Sequence, residues 1–195
     1  MSFKSKGYKV IKNALSVELT SFLFEYFFKK RDVARVLYDT GYVSQKEDII
    51  GHWSDIQIPD TYSHYADIAI ETLLVKMLPE VESVVGEKIV PEYSFARIYK
   101  HGDELHAHKD RSECEISTTM FLGGDGWKIY FEKEAPLLLE KGDMCIYKGC
   151  ELLHWREPFE GEECMQVFLH YKTIKEGVKL YDGREMLGLP PGFRQ

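Results

Sequence analysis

The sequence predicts a mainly β protein with flanking α-helices, the helices coming first and a dense run of strands after them. Two observations carry this. In the first part of the chain, apolar residues recur at three- and four-residue steps, the period of a helix packed on a core. From Lys88 onward they alternate or form short apolar runs separated by glycine-containing turns. That order points to helices packed on an antiparallel sandwich or open barrel. At 195 residues, 44% hydrophobic and 29% charged, the composition is that of a folded chain, and the length suits one domain, 1–195.

Taken in order, Gly7-Tyr8-Lys9-Val10-Ile11 alternates weakly and reads as a short first strand. Ser16 can cap the helix that follows, its hydroxyl accepting a free N–H of the first turn. Leu19, Phe22, Leu23, Tyr26 and Phe27 form that helix's packing stripe. Residues 38–61 hold Gly41, Gly51 and Pro59 with no period running through them, which predicts a long loop of the kind that serves as a lid or binding segment. His52 and Trp53 lie in it. A second helix is expected from about Tyr62 to Leu78, capped by Asp60 or Thr61. Pro79 would open a short continuation that Gly86 stops.

The strands expected after Lys88 are Ile89-Val90, Tyr93–Tyr99, Ile116–Leu122, Lys128–Phe131, Leu137–Leu139, Met144–Tyr147 and Cys164–Tyr171. Gly102, Gly123-Gly124-Asp125-Gly126, Lys141-Gly142-Asp143 and Gly161 supply turns between them. The tail from Tyr181 to Gly192 reads as a docked or partly ordered extension.

The net charge of −7 argues against a protein built to grip a phosphate backbone, so no nucleic-acid partner is expected. The longest apolar runs are far too short to span a bilayer. No apolar segment follows the basic N-terminal residues, so no signal peptide is read and a cytoplasmic location is expected. The four cysteines, Cys114, Cys145, Cys150 and Cys164, form no Cys-x-x-Cys pair and are expected as free thiols. Cys145 reads as packing, and Cys150, near His154 in sequence, as a turn residue.

Seven histidines are present, at 52, 64, 101, 106, 108, 154 and 170, and only His108 has an aspartate two residues on. If a strand continues through His108-Lys109-Asp110, the imidazole and the carboxylate project side by side. His154, after the strand-like run Gly142–Tyr147, can close the set from a neighbouring strand. His106 shares strand parity with His108 and is the nearest rival ligand. Two imidazoles and one carboxylate hold one face of a metal and leave other positions free, which suits iron(II). The same donors can hold zinc, with a more closed shell.

His108-Lys109-Asp110, then Ile116–Leu122, then Lys141-Gly142-Asp143, then His154 resembles an iron(II)/2-oxoglutarate-dependent oxygenase, in its prolyl-4-hydroxylase-like branch. The likeness covers roughly residues 90–172. It implies a double-stranded β-helix (jelly-roll, cupin-like) core over 88–172, preceded by two or three helices. Residues 1–87 would form a lead-in packed on the sheet, and 173–195 a C-terminal extension. It also implies Fe(II) on His108, Asp110 and His154, with 2-oxoglutarate and O2 as cosubstrates, and it leaves open whether ascorbate assists. The reaction would release succinate and CO2 and hydroxylate a C–H bond.

The far carboxylate of 2-oxoglutarate needs a cationic anchor, and here the sequence departs from the branch. A Lys or Arg is expected nine or ten residues after the distal histidine, and those positions are Glu163 and Cys164. Arg156, two residues after His154, is the leading substitute. Lys128 is second, and Arg111, which can instead meet the substrate, third; Arg97 remains a candidate. The resemblance gives Tyr99 a hydrogen bond to the cosubstrate. Gln166, sharing strand parity with Phe168 and His170, can bond its carboxylate. Trp155 is expected to face away into the core.

Three functions compete. One is an oxygenase hydroxylating a protein side chain, prolyl included, or a small molecule. The second is a nucleic-acid demethylase of the same superfamily, disfavoured by the acidic balance. The third is a cupin-like metal-binding or sensing domain without 2-oxoglutarate turnover, supported by the missing basic residue after His154.

Overall fold

The computed structural model describes residues 3–44, 48–177 and 179–193. Its elements in chain order are α1 (Phe3–Lys6), β1 (Tyr8–Ile11), α2 (Val17–Asp39), β2 (Tyr62–Tyr65), α3 (Ile68–Val85), β3 (Ile89–Lys100), β4 (Leu105–His108), β5 (Ile116–Gly124), β6 (Tyr130–Phe131), β7 (Met144–Tyr147), β8 (His154–Arg156) and β9 (Glu163–Thr173). A six-stranded antiparallel sheet in the order β1-β7-β5-β9-β3-β2 faces a three-stranded sheet, β4-β8-β6. This is the jelly-roll core with flanking helices that the sequence predicts. No helix among the described residues is long and apolar enough to cross a membrane.

The large sheet has two inner jobs, and its side chains divide between them with the period of two that a strand imposes. Ala96 and Ile98 of β3, Met120 and Leu122 of β5, Met144 and Ile146 of β7, and Val167 and Leu169 of β9 face the helices. There they join Leu23 and Phe27 of α2 and Ile70, Leu74 and Val81 of α3 in one core. Each of these side chains larger than alanine stabilises the fold by about 1.5–3 kcal/mol on burial. The intervening residues, among them Tyr99, Phe121, Cys145, Tyr147 and Cys164, face the small sheet. They form a second core with Leu105, Trp127 and Phe131.

Ser16 caps α2 as expected, its Oγ accepting the N–H of Leu19 at 3.2 Å. The second helix differs from the expectation. Tyr62–Tyr65 is a buried strand paired with β3, in the register Tyr62↔Ile98 to Tyr65↔Phe95. Its aromatic residues fit a sheet better than a first helical turn. The helix begins later, at Asp67, whose Oδ1 accepts the N–H groups of Ala69 and Ile70. It runs through Pro79 without a break and ends at Gly86, whose φ of 76° makes it the left-handed stop. Leu137–Leu139 is not a strand but a single bridge, Ile129↔Leu137, with Leu138 exposed.

The tail is docked. Arg184 is buried and its guanidinium meets Glu71 Oε1 of α3 at 2.9 Å and the Glu92 carbonyl at 3.0 Å. The Asp182 N–H donates to Glu92 Oε2 at 2.9 Å.

Candidate metal centre and its cavity

β4 and β8 pair with His108 opposite His154, so the two imidazoles come together by register. β4 stops at His108. Asp110 reaches the same point from the turn beyond, where its N–H donates to the Gly149 carbonyl at 2.9 Å. Asp110 Oδ1 lies 3.6 Å from His108 Nε2 and 3.5 Å from His154 Nε2. One donor atom from each of the three falls within 4.8 Å of the others. Gly149 permits this approach, because a Cβ there would overlap Asp110 Oδ2, the Cys114 carbonyl and Ser117 Oγ.

The donors are turned the way a metal requires. His108 Nδ1–H donates to the His106 carbonyl at 2.8 Å and His154 Nδ1–H to the Leu152 carbonyl at 3.0 Å. Both Nε2 lone pairs are thereby directed at the common point. His106, the sequence's rival ligand, contributes its carbonyl, while its own ring is exposed beside Glu104. The Ser117 hydroxyl donates to Asp110 Oδ2 at 2.6 Å and accepts from His170 Nδ1 at 3.0 Å. Burial works against the Asp110 charge, but with no metal bound the facing His108 and His154 imidazoles outweigh it and hold the carboxyl far below its usual range. The Asp110 carboxylate in turn raises the His108 pKa, against burial. Such a set fits a divalent cation with open positions.

Asp110, Cys114 and His170 form a second close group. It is poorly suited to metal. Burial pushes the Cys114 thiol up to about 12, so it stays protonated, and the thiol hydrogen-bonds with Tyr93 Oη at 3.1 Å. Burial pulls His170 down to about 4, against the opposing charge of Asp110, leaving it a neutral donor to Ser117. Ser117, Gly149 and His170's support of Ser117 have no motif that sequence reading could use.

A cavity of about 400 Å³ opens over the three residues. Its floor is the alternate set Tyr93, Phe95, Arg97 and Tyr99 of β3, with Phe168 and His170 of β9 beside it. The long loop contributes to it through Asp55 and Gln57. Asp55 Oδ1 meets Arg97 Nη2 at 2.8 Å, and Gln57 Oε1 accepts from Nη1 at 3.3 Å. Trp53 instead packs on Tyr62 beneath Arg35.

The four candidate anchors separate. Lys128 is exposed and outside the cavity, because strand alternation turns Trp127 and Ile129 inward and Lys128 out. Arg111 and Arg97 both line the cavity, Arg111 pairing with Asp182 at 3.0 Å. Arg156 is 1% exposed and lies behind the lining, next to its cross-strand partner Leu105. Its Nη1 donates to the Trp127 carbonyl at 2.6 Å and Nη2 to Thr119 Oγ1 at 3.3 Å, while Nε has no partner. Tyr99 is buried, lines the cavity and feels the Arg156 charge. Gln166 is buried beneath it, accepting from Thr119 at 3.0 Å. Trp155 is not core: it is half-buried and stacked on Tyr130 at 5.5 Å, on the uncovered side of the small sheet. Cys150 Sγ donates to the Arg111 carbonyl at 3.2 Å and stays clear of the three donors.

No protein-family model matches the sequence, and no curated protein matches it. Solved structures do match. A Pseudomonas putida prolyl-4-hydroxylase superposes at a TM-score of 0.64 with 12% identity, over 89% of this chain and 96% of that one. HygX from Streptomyces hygroscopicus, with nickel, 2-oxoglutarate and hygromycin B bound, gives 0.61 with 13% identity, over 88% and 84%. A Trichoplax adhaerens prolyl hydroxylase, in complex with a hypoxia inducible factor oxygen degradation domain peptide, gives 0.60 with 11% identity, over 88% and 86%. The chain has the fold of the 2-oxoglutarate/iron(II) oxygenases, in the form that the prolyl hydroxylases share.

Proposed function

We propose that this protein is an Fe(II)- and 2-oxoglutarate-dependent dioxygenase that hydroxylates a C–H bond of a protein side chain, prolyl included, or of a small molecule. His108, Asp110 and His154 would hold the iron. Bound there with 2-oxoglutarate, the metal supplies the oxygen activation that no side chain can provide. The protein's own share is to fix the three donors, keep the carboxylate ionised and wall the reaction off from water.

The observation that carries the reading is Arg156. It is a buried guanidinium with no carboxylate partner among the described residues. Leaving a cation so placed uncompensated costs several kcal/mol, and a dicarboxylate reaching it from the cavity would supply the missing charge. Thr119 and Gln166 extend the same polar patch. The cupin-like alternative rests on the missing basic residue at positions 163 and 164, and the burial of Arg156 beside Thr119 supports the oxygenase reading over it. The peptide held by the Trichoplax enzyme supports a protein substrate here.

The test is turnover. Protein loaded with Fe(II) in air should convert 2-oxoglutarate to succinate, slowly without substrate and faster with one, and ascorbate should prolong the reaction. No succinate from wild type above the His154→Ala background would contradict the proposal.

A further inference from the structure

Tyr93 and Tyr99 stand at opposite ends of the cavity floor, six residues apart on β3, or about 20 Å at ~3.3 Å per residue. Arg156 belongs to the Tyr99 end. The Tyr93 end has its own cation, and its surroundings are built around it. Arg111 follows Asp110 directly, lines the cavity and lies with its guanidinium 4.7 Å from the centre of the Tyr93 ring. Its side chain is 45% exposed, so it is held in place and still reachable.

What holds it is the C-terminal segment. Asp182 accepts from Arg111 Nη2 at 3.0 Å and from Tyr65 Oη at 2.5 Å. Tyr181 and Asp182 both adopt left-handed backbone, with φ of 56° and 55°, which non-glycine residues rarely do. Glu92 fixes the Asp182 N–H, and the buried Arg184–Glu71 pair pins the segment two residues on. Strained backbone held from several sides, ending in one carboxylate under one arginine, is a positioning device. Asp182 takes one of the five N–H groups of Arg111 and Glu113 Oε2 lies 3.7 Å from Nη1, while the guanidinium still lines the cavity.

Lys109, on the other side of Asp110, also lines the cavity and makes no ion pair among the described residues. Two cations therefore flank the metal-side carboxylate in a chain whose net charge is −7. A cationic mouth on an acidic protein attracts and orients an anion.

We propose that Arg111, oriented by Asp182 and assisted by Lys109, binds a carboxylate of the substrate, supplied by an acidic peptide side chain or by a free acid. This rests on the oxygenase reading. The cosubstrate does not explain the cation, because 2-oxoglutarate anchored at the Tyr99 end does not reach the Tyr93 end.

The experiment is calorimetry on nickel-loaded protein. Titration with 2-oxoglutarate comes first, and failure to bind it would overturn the oxygenase reading itself. The 2-oxoglutarate-saturated protein is then titrated with three probes: an end-blocked prolyl pentapeptide carrying glutamates beside the proline, the same peptide carrying glutamines, and N-acetylglutamate. A carboxylate ligand should bind at least tenfold more tightly than the glutamine peptide. Binding of the peptide identifies a protein segment, and binding of N-acetylglutamate alone a free acid. Arg111→Gln should erase the preference while changing 2-oxoglutarate affinity less than twofold. Arg111→Lys should restore part of it, and Asp182→Asn should weaken it severalfold. With 2-oxoglutarate bound, no binding of either carboxylate probe, equal binding of the two peptides, or a preference that survives Arg111→Gln would overturn the assignment of Arg111.

Discussion

Arg156 on β8 and Cys164 on β9 are joined by a chain of hydrogen bonds. Arg156 Nη2 donates to Thr119 Oγ1 (3.3 Å), Thr119 to Gln166 Oε1 (3.0 Å), and Gln166 Nε2 to Cys164 Sγ (3.2 Å). The guanidinium is close enough to act on the thiol, partly offsetting the rise that burial imposes on it. Prolyl-hydroxylase-like chains are expected to carry a cation at position 163 or 164, and Arg156 brings one to the same neighbourhood from the facing sheet. Arg156→Ala should weaken 2-oxoglutarate binding on the order of a hundredfold, about 3 kcal/mol. Combining it with Cys164→Lys, which moves the cation across, should recover at least tenfold. Titration of the nickel-loaded variants measures both, and a double variant no better than the single one would place the carboxylate elsewhere.

The support beneath Asp110 makes a second test. His108→Ala and Asp110→Ala should abolish metal retention with the fold intact. Ser117→Ala removes the 2.6 Å hydrogen bond to Asp110 Oδ2 and should cost about 10–100-fold in Ni(II) affinity. Gly149→Ala should cost more, because its Cβ falls on that carboxylate. Equilibrium metal titration orders the four variants.

His170 sets a pH dependence in the metal-free protein. Burial, against the charge of Asp110, lowers its pKa from 6.5 to about 4 in the folded chain. Between those values the unfolded chain binds a proton that the folded one refuses, so stability is full above about pH 6.5 and falls as pH drops toward 4. This group alone contributes a slope of up to about 1.4 kcal/mol per pH unit. Urea midpoints at pH 7 and pH 5 should therefore differ less in His170→Asn than in wild type. An unchanged difference would show that His170 is not the group responsible.

The tail is a structural part of the molecule. Arg184→Ala would strand Glu71, itself 2% exposed, and should destabilise the fold by about 3–5 kcal/mol. Replacing both, Glu71→Gln with Arg184→Met, should recover most of that loss in urea denaturation.

What sequence reading could see follows from the range of its signals. The alternation in Tyr93–Tyr99 and Cys164–Tyr171 is local, so those strands and the residues they turn inward were legible. The His108–Asp110–His154 grouping was legible because motif spacing and strand order constrain one another. Tyr62–Tyr65 was misread because its helical spacing with Ile68, Leu73 and Leu74 is satisfied only after Asp67, while its own partner, β3, lies thirty residues away in sequence. Asp182 under Arg111, Gly149 against Asp110 and Asp55 on Arg97 are contacts across long loops, and no period or spacing encodes them. Lys128 was a candidate only through the resemblance, and it lies exposed two residues before β6, outside the cavity.

The most direct measurement is anaerobic addition of Fe(II) followed by titration with 2-oxoglutarate, watching the visible charge-transfer band of the chelate. A saturable band is expected, absent in His154→Ala and displaced to much higher 2-oxoglutarate concentration in Arg156→Ala. Iron demonstrably bound with no band at any 2-oxoglutarate concentration would contradict it.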